Sequence, residues 1–306
     1  MTSANFSSST GWRAWLEAPV PQTPLQARAQ QVYNGAAKLA SNPTAMLGLI
    51  ILLAIVIMAI FAPQLAPHDI FAQNLSNRLQ PPSGTHPFGT DELGRDILSR
   101  LLHGSRITLY IVGLTAVIVA PVGLLVGTVS GYFGGWVDAV LMRIVDVFLA
   151  FPSLVLALAF VAALGPGIDN AIIAISLASW PPIARLARAE TLTIRQSDYI
   201  HAVRLIGANP LRIIVRHVMP MCIPSVVVRL TLNMAAIILT AAGLGFLGLG
   251  AQPPSPEWGS MLASGRQFIM TSWWIAAAPG MAILLTSLAF NLLGDGLRDV
   301  LDPKHG

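Results

Sequence analysis

Side chains able to do chemistry are few in this chain, and they crowd into two places. Asp91, Glu92, Arg95, Asp96 and Arg100 put charges of both signs into ten residues. Arg143 and Asp146 are three apart, so on a helix they share a face and can pair. Gly89 and Thr90 can open a helix in which Asp91 and Glu92 lie near the positive end, where carboxylates are favoured. Ile97, Leu98, Leu101 and Leu102 would then face membrane or bundle. Two readings stand for this group: a solvated interfacial helix, or a segment that closes an outer mouth or meets an external partner. Arg143 and Asp146 read first as a structural pair and second as part of an inner gate. Asp146 and Asp295 would have to share one proton to act as an aspartyl protease, yet each lies outside an apolar run. His68, His86 and His103 are scattered, with no spacing suited to a metal site. One cysteine, Cys222, excludes an internal disulfide and any cysteine-clustered metal centre. No glycine-rich phosphate loop of the Walker type is present. No catalytic residue, metal or bound cofactor is expected of this chain.

The elements that position these groups follow from composition. Of 306 residues, 54% are hydrophobic and 10% charged, where a soluble domain carries about a quarter charged. That balance disfavours disorder and nucleic-acid binding and points to an all-α integral membrane protein. Each span needs about 20 mostly apolar residues. Uncharged stretches run from Lys38 to Asp69, Ile107 to Val137, Val147 to Ile168, Asn170 to Ala184, Leu230 to Pro256 and Gln267 to Gly294, giving six spans. They are expected at about 45–62, 106–132, 139–164, 170–188, 222–247 and 276–296. The fourth is short and broken by Pro181 and Pro182. The N-terminal tail, 1–44, is polar and lacks a signal-peptide cleavage site; Gln26 to Ala40 can form a surface helix within it.

Lys and Arg in the flanks set the orientation. With the N-terminus inside, the inner side holds twelve: Arg13, Arg28, Lys38, Arg143, Arg185, Arg188, Arg195, Arg204, Arg212, Arg216, Arg298 and Lys304. The outer side holds five: Arg78, Arg95, Arg100, Arg106 and Arg266. Both termini, including the tail 299–306, are therefore expected in the cytoplasm. Two loops are too long to be plain connectors: an outer one at 63–105 and an inner one at 189–220.

The inner loop reads RLARAETLTIRQSDYIHAVRLIGANPLRIIVRHVMP. Ile200, Val203, Leu205 and Ile206 predict a short amphipathic helix, with Gly207 where a C-cap glycine belongs. Asn209 and Pro210 start a second segment, to which Leu211, Ile214 and Val215 give an apolar face, and Pro220 leads into the fifth span. Physics alone leaves two roles open: a basic helix lying on anionic lipid, or a docking element for another protein.

The same loop resembles the EAA-x3-G-x9-I-x-LP loop of importer-type ABC permeases, which docks into a cleft of the ATPase subunit. His201, Ala202 and Val203 hold its first three places, Gly207 its glycine, and His217, Met219 and Pro220 its end. Arg204, Ala208, Asn209 and Pro210 lie between. Glycine, first alanine and proline match at the family spacing; His201, Val203, His217 and Met219 depart from it. HPFGTDELGRDILSRLLHGSRITL (86–109), GLGFLGLGAQPPSPEWGSML (243–262) and NLLGDGLRDVLDPK (291–304) are similar to the C-type permeases of dipeptide, oligopeptide and nickel importers. That resemblance implies a type I importer permease fold, one N-terminal helix plus a five-helix core over 106–298. It also implies a heterodimer with a B-type permease, two cytoplasmic ATPases that hold ATP and Mg, and an extracytoplasmic binding protein. The implied setting is the bacterial inner membrane, in contact with lipid, and the implied load is a short peptide. Nickel complexes, glutathione and related small solutes use very similar permeases.

Smaller signals complete the reading. Gly243, Gly245, Gly248 and Gly250 permit close helix approach at the end of the fifth span. Trp258, Trp273 and Trp274 are placed as an interfacial aromatic belt. Arg229 and Asn233, four apart, should face the bundle interior. A self-sufficient secondary transporter would need ionisable groups at mid-span and inverted repeats, and neither is apparent.

Overall fold

Proline, asparagine and glycine punctuate the chain, and several of its helices begin or end on them. A computed structural model describes residues 15–16 and 21–301; Arg13, Lys304 and the tail ends lie outside the described residues. Thr23 caps α1 (Pro24–Ser41) by accepting from the Gln26 amide. Asn42 closes that helix and caps α2 (Pro43–Ile60), its side chain accepting from Thr44 and Ala45. A long loop leads to α3 (Ile97–Phe133), 37 residues and about 55 Å at 1.5 Å per residue. Asp96 caps α3, and Gly134 ends it at φ 67°. Next come α4 (Gly135–Leu149) and α5 (Ser153–Leu164), bent by 91° about the break that contains Pro152. They are followed by α6 (Ile168–Ser179), α7 (Pro181–Arg195) and α8 (Asp198–Leu205). A turn at Pro210–Ile213 and a wide π-turn at Ile214–Val218 run into α9 (Met219–Phe246). α10 (Trp258–Gly265) and α11 (Trp274–Leu301) complete the described chain. It contains no strand, only an isolated antiparallel bridge between Thr90 and Asp96.

Among the described residues four helices are long and apolar enough to cross a membrane: α2, α3, the run 210–246 and α11. The bent pair α4–α5 makes a fifth. The fourth expected span is where the count differs. α6 has twelve residues, about 18 Å, short of a hydrocarbon core of roughly 30 Å. Pro181 and Pro182 bring no amide donors to the junction, and the amphipathic α7 continues beyond it. The second span also starts earlier than expected, at Ile97, so the outer loop is shorter.

α3 runs through the middle of the packing. Small residues bring α7 against it: Gly123 meets Ile183, Gly127 meets the backbone at Ala184, and Gly131 meets Thr191. A Cβ at 123 would lie 2.7 Å from Ile183, one at 131 would lie 2.8 Å from Thr191, and one at 127 would collide with the Ala184 carbonyl oxygen. On the other side, Ile97, Ile111, Ile172, Ile175, Ile238 and Trp258 belong to one buried apolar cluster. Trp258 is therefore no lipid-facing anchor. Its ring is 2% exposed and its Nε1 donates to the Leu101 carbonyl at 3.0 Å, while Trp273 is 61% exposed. Asn233 donates to the Ser179 carbonyl at 3.1 Å, but Arg229 is exposed rather than turned into the bundle.

Gly127→Leu should break the α3–α7 contact, at the upper end of the roughly 1–3 kcal/mol that overpacking costs. The purified variant should melt well below wild type, while Gly113→Leu, which meets open space, should not.

Candidate functional site

The two loops lie at opposite ends of α3. At its start, the acidic stretch does not form the helix expected from Gly89. Asp91 instead folds into a turn, its Oδ1 accepting from the Leu93 and Arg95 amides, both at 2.9 Å. Gly94 closes this turn at φ 72°, in a conformation that a side chain would disfavour. The Asx turn takes the amides a helix would have needed, so the helix starts only after Asp96. Arg95 Nε donates to Asp91 Oδ2 at 2.7 Å, and Arg100 Nε lies 3.7 Å from the same oxygen. Glu92 Oε1 meets Arg95 Nη2 at 3.4 Å, and Arg100 Nη1 donates to the Ile70 carbonyl at 3.1 Å. Asp91, Arg95, Asp96 and Arg100 are all buried. The solvated interfacial helix is thus replaced by a buried ionic knot that ties the loop to α3.

Histidines that look scattered in sequence meet in the same knot. The rings of His68 and His86 are 4.6 Å apart, and His86 Nδ1 lies 2.9 Å from Asp96 Oδ1. His103 stays apart, its Nδ1 bonding to the Ser99 carbonyl at 3.0 Å. Glu257 was not singled out by the sequence, although a carboxylate just before a helical run is a capping signal. It caps α10, accepting from the Gly259 and Ser260 amides at 2.8 and 2.9 Å. Burial pushes its carboxyl above the ordinary carboxylate range, against the two amides that pull it down.

The expected pair of Arg143 and Asp146 does not form. Asp146 accepts from Arg185 Nη2 of α7 at 2.5 Å, and both side chains are more than half exposed. α4 turns Asp146 toward α7 and leaves Arg143 exposed. A more enclosed pair was missed: Asp138 receives Arg188 Nε and Nη2 at 2.5 and 2.6 Å, and Ser130 Oγ at 2.5 Å. Bidentate geometry of this kind fixes α7 against α4.

At the other end of α3, Ser197 caps α8. Gly207 takes φ 82°, its amide bonding to the Arg204 carbonyl at 2.9 Å and that of Ala208 to Val203 at 3.4 Å. This is a Schellman closure. Asn209 accepts from the Leu211 amide at 3.0 Å, and Pro210 opens the next turn. The π-turn places Ile213 and Val218 five apart, and both turn inward with Ile214 onto Tyr132, Ile194, Ile200 and Val203. Leu211 and Val215, expected on one apolar face with Ile214, stay outside. Exposure reaches 88% at Leu205, 83% at Ile206 and 67% at Leu211. His201, Ala202, Arg204, Asn209 and Pro210 share that open surface, as does Pro220, whereas Val203 is buried and Ala208 half-buried. Arg195 donates to the Tyr132 carbonyl at 3.0 Å, and Arg204 sits 5.1 Å over the Tyr132 ring. These contacts mount the loop on the end of α3.

A bundle of long apolar helices, joined at one end by a buried ionic knot and at the other by a protruding basic loop, defines a polytopic membrane protein. The chain belongs to the family described as binding-protein-dependent transport system inner membrane component, whose model matches residues 123–305. Residues 35–82 match the N-terminal transmembrane domain of oligopeptide transport permease C. The chain is 46% identical over 281 residues to the probable D,D-dipeptide transport system permease DdpC of Escherichia coli, covering 90% of this chain and 94% of that one. It is 49% identical over 272 residues to the di/tripeptide permease DppC of Pseudomonas aeruginosa, covering 87% and 89%. The glutathione permease GsiD of Pectobacterium atrosepticum is 47% identical over 259 residues, covering 84% and 85%. Among solved structures, an inward-facing MetNI methionine ABC transporter chain superposes with a TM-score of 0.54 at 20% identity, covering 66% of this chain and 96% of that one. The fold is that of a type I ABC importer permease, and the chain is a membrane-spanning transport subunit.

Asp91→Ala should leave Arg100 without a carboxylate and Arg95 with only the longer contact to Glu92 in a buried setting, at a cost of about 3 kcal/mol. Asp146→Ala, which removes an exposed partner, should cost at most about 1 kcal/mol. Thermal melting of the two purified variants should separate them clearly; equal losses would show that the knot is not held by its charges.

Proposed function

We propose that this chain forms one half of the membrane pathway of an ATP-driven importer of short peptides. The observation that carries this reading is the near end-to-end match, 46% identity over 90% of the chain, to a permease named for dipeptide transport. In this reading a related B-type permease supplies the other half, and an extracytoplasmic binding protein delivers the peptide to the outer end. Two cytoplasmic ATPases, which hold ATP and Mg, bind the loop built on α8. The glutathione relative fits the same load class, since glutathione is a small peptide-like solute.

The α8 loop has the surface for the ATPase contact. Leu205, Ile206 and Leu211 are large apolar side chains left open beside Arg204 and Arg212. Contiguous exposed apolar groups rimmed by charge mark a protein interface. Residues 201–204, 207–210 and Pro220 are assigned to this docking. The buried knot of Asp91, Glu92, Arg95 and Asp96 is assigned to shaping the outer mouth. Arg143 and Asp146 are assigned to the inner rim, Asp146 acting through Arg185. The basic bias of twelve against five supports a cytoplasmic α8 loop and cytoplasmic termini.

Gly207→Val should strain a left-handed turn by roughly 1–3 kcal/mol without touching a span. Ala202→Glu should place a charge on the exposed docking face. In the reconstituted complex both should still co-purify with their partners, yet lose at least tenfold in peptide uptake and the stimulation of ATP hydrolysis by loaded binding protein. Normal uptake by both variants would reduce the loop to a surface helix.

Orientation is tested separately. In a Cys222→Ser background, Ser83→Cys should label with an impermeant thiol reagent in spheroplasts, and Gln196→Cys only after lysis. The reverse pattern would invert the topology.

A further inference from the structure

One ring nitrogen each of His68 and His86 and a carboxylate oxygen of Asp96 lie within 4.8 Å of one another. We infer that these three side chains bind one divalent transition-metal ion of the Zn2+ class, which clips the loop before α3 to the first turn of that helix.

The donor set selects the ion. Two imidazoles and one carboxylate suit Zn2+ and its first-row neighbours, whereas Mg2+ and Ca2+ prefer oxygen ligands alone. Three protein ligands leave a fourth tetrahedral position for water. The spacing is close to what such an ion needs. Ligands about 2.0–2.2 Å from a tetrahedral zinc are separated from one another by roughly 3.3–3.6 Å, so His86 Nδ1 and Asp96 Oδ1, now 2.9 Å apart, would open by about half an ångström. His68 has further to move, and it is the exposed member of the three.

The surroundings orient the ligands as supporting groups around a metal do. Asp96 Oδ2 accepts from the Ser99 amide at 2.8 Å and its hydroxyl at 2.6 Å, which leaves Oδ1 facing the histidines. The same hydroxyl accepts the His68 amide at 3.1 Å, so one fully buried serine positions two of the three ligands. His68 Nε2 lies 2.9 Å from the Thr85 carbonyl, the kind of backbone partner that fixes a ligating imidazole through its second nitrogen. The three ligands come from positions 68, 86 and 96. An ion shared among them would cross-link the two ends of the loop to the helix cap.

The test uses the full chain, purified with a histidine-free tag and stripped with a chelator. Zn2+ is titrated in competition with a chromophoric chelator, Mg2+ is run in parallel, and melting temperature is followed in both. One Zn2+ per chain at micromolar affinity or better is expected, with a raised melting temperature and no response to Mg2+. His68→Gln should weaken Zn2+ binding at least tenfold and remove the thermal shift while melting like the stripped wild type. His86→Gln should do the same, and His103→Gln should leave both unchanged. The site is refuted if less than one equivalent binds at micromolar Zn2+, if His68→Gln binds as wild type does, or if binding is lost instead with His103→Gln or His217→Gln.

Discussion

Backbone-to-backbone approach of α3 and α7 is the contact on which the rest of the architecture stands. In a bilayer, apolar side chains gain little by leaving lipid for protein, so helices associate where small residues let them come close. Gly123, Gly127 and Gly131 repeat every fourth residue and lay one flank of α3 against Ile183, Ala184 and Thr191. α7 is also the most polar of the central helices, and it carries Arg185, Arg188 and Arg195. Held in place by glycines, it spends those arginines on Asp146, Asp138 and the end of α3. Only Gln196 and Ser197 separate α8 from the end of α7, so its position follows from the same contact.

Charge is used differently at the two ends of α3. Before the helix, Asp91, Arg95 and Arg100 are buried and mutually compensated, which fixes geometry strongly because no member can lose its partner cheaply. Beyond it, Arg204 and Arg212 are left open beside exposed apolar groups. A buried network keeps a loop in one shape. An open one stays available to a partner. Glu257 follows the first pattern, closed against Gly245 and capping α10 beside the same core.

Local rules made the α8 loop legible from sequence. Gly207 at a C-cap, Asn209 as a side-chain cap and Pro210 at a first turn each depend on neighbours within a few residues, and each is found. Its family motif pointed to the same positions. The register after Pro210 was not legible, because the π-turn that swings Ile213 and Val218 inward leaves no periodic signature. Arg143 and Asp146 satisfied a spacing rule, but Arg185 arrives from another helix, and spacing within one helix says nothing of that competition. His68 and His86 have no metal-site spacing in sequence, because a loop, rather than a helix or hairpin, brings them to Asp96. Trp258 looked like an interfacial anchor for the same reason: its partner at Leu101 is 157 residues away.

The α3–α7 seam also limits how force can travel. Gly123, Gly127 and Gly131 set a short α3–α7 distance, with the Ile183, Ala187 and Thr191 side chains packed directly on the glycines. A pull on the α8 loop reaches Tyr132 through Arg195 and Arg204, and Asp138 through Arg188. These contacts join α3, α4 and α7 to one another and to the loop. The soft points are the places where backbone hydrogen bonding is already interrupted. One is the 91° bend around Pro152; another is the Pro181–Pro182 junction; the third is the π-turn before α9. The bend and the π-turn lie outside the seam, whereas the Pro181–Pro182 junction sits at its end, between Trp180 and Ile183 against Gly123.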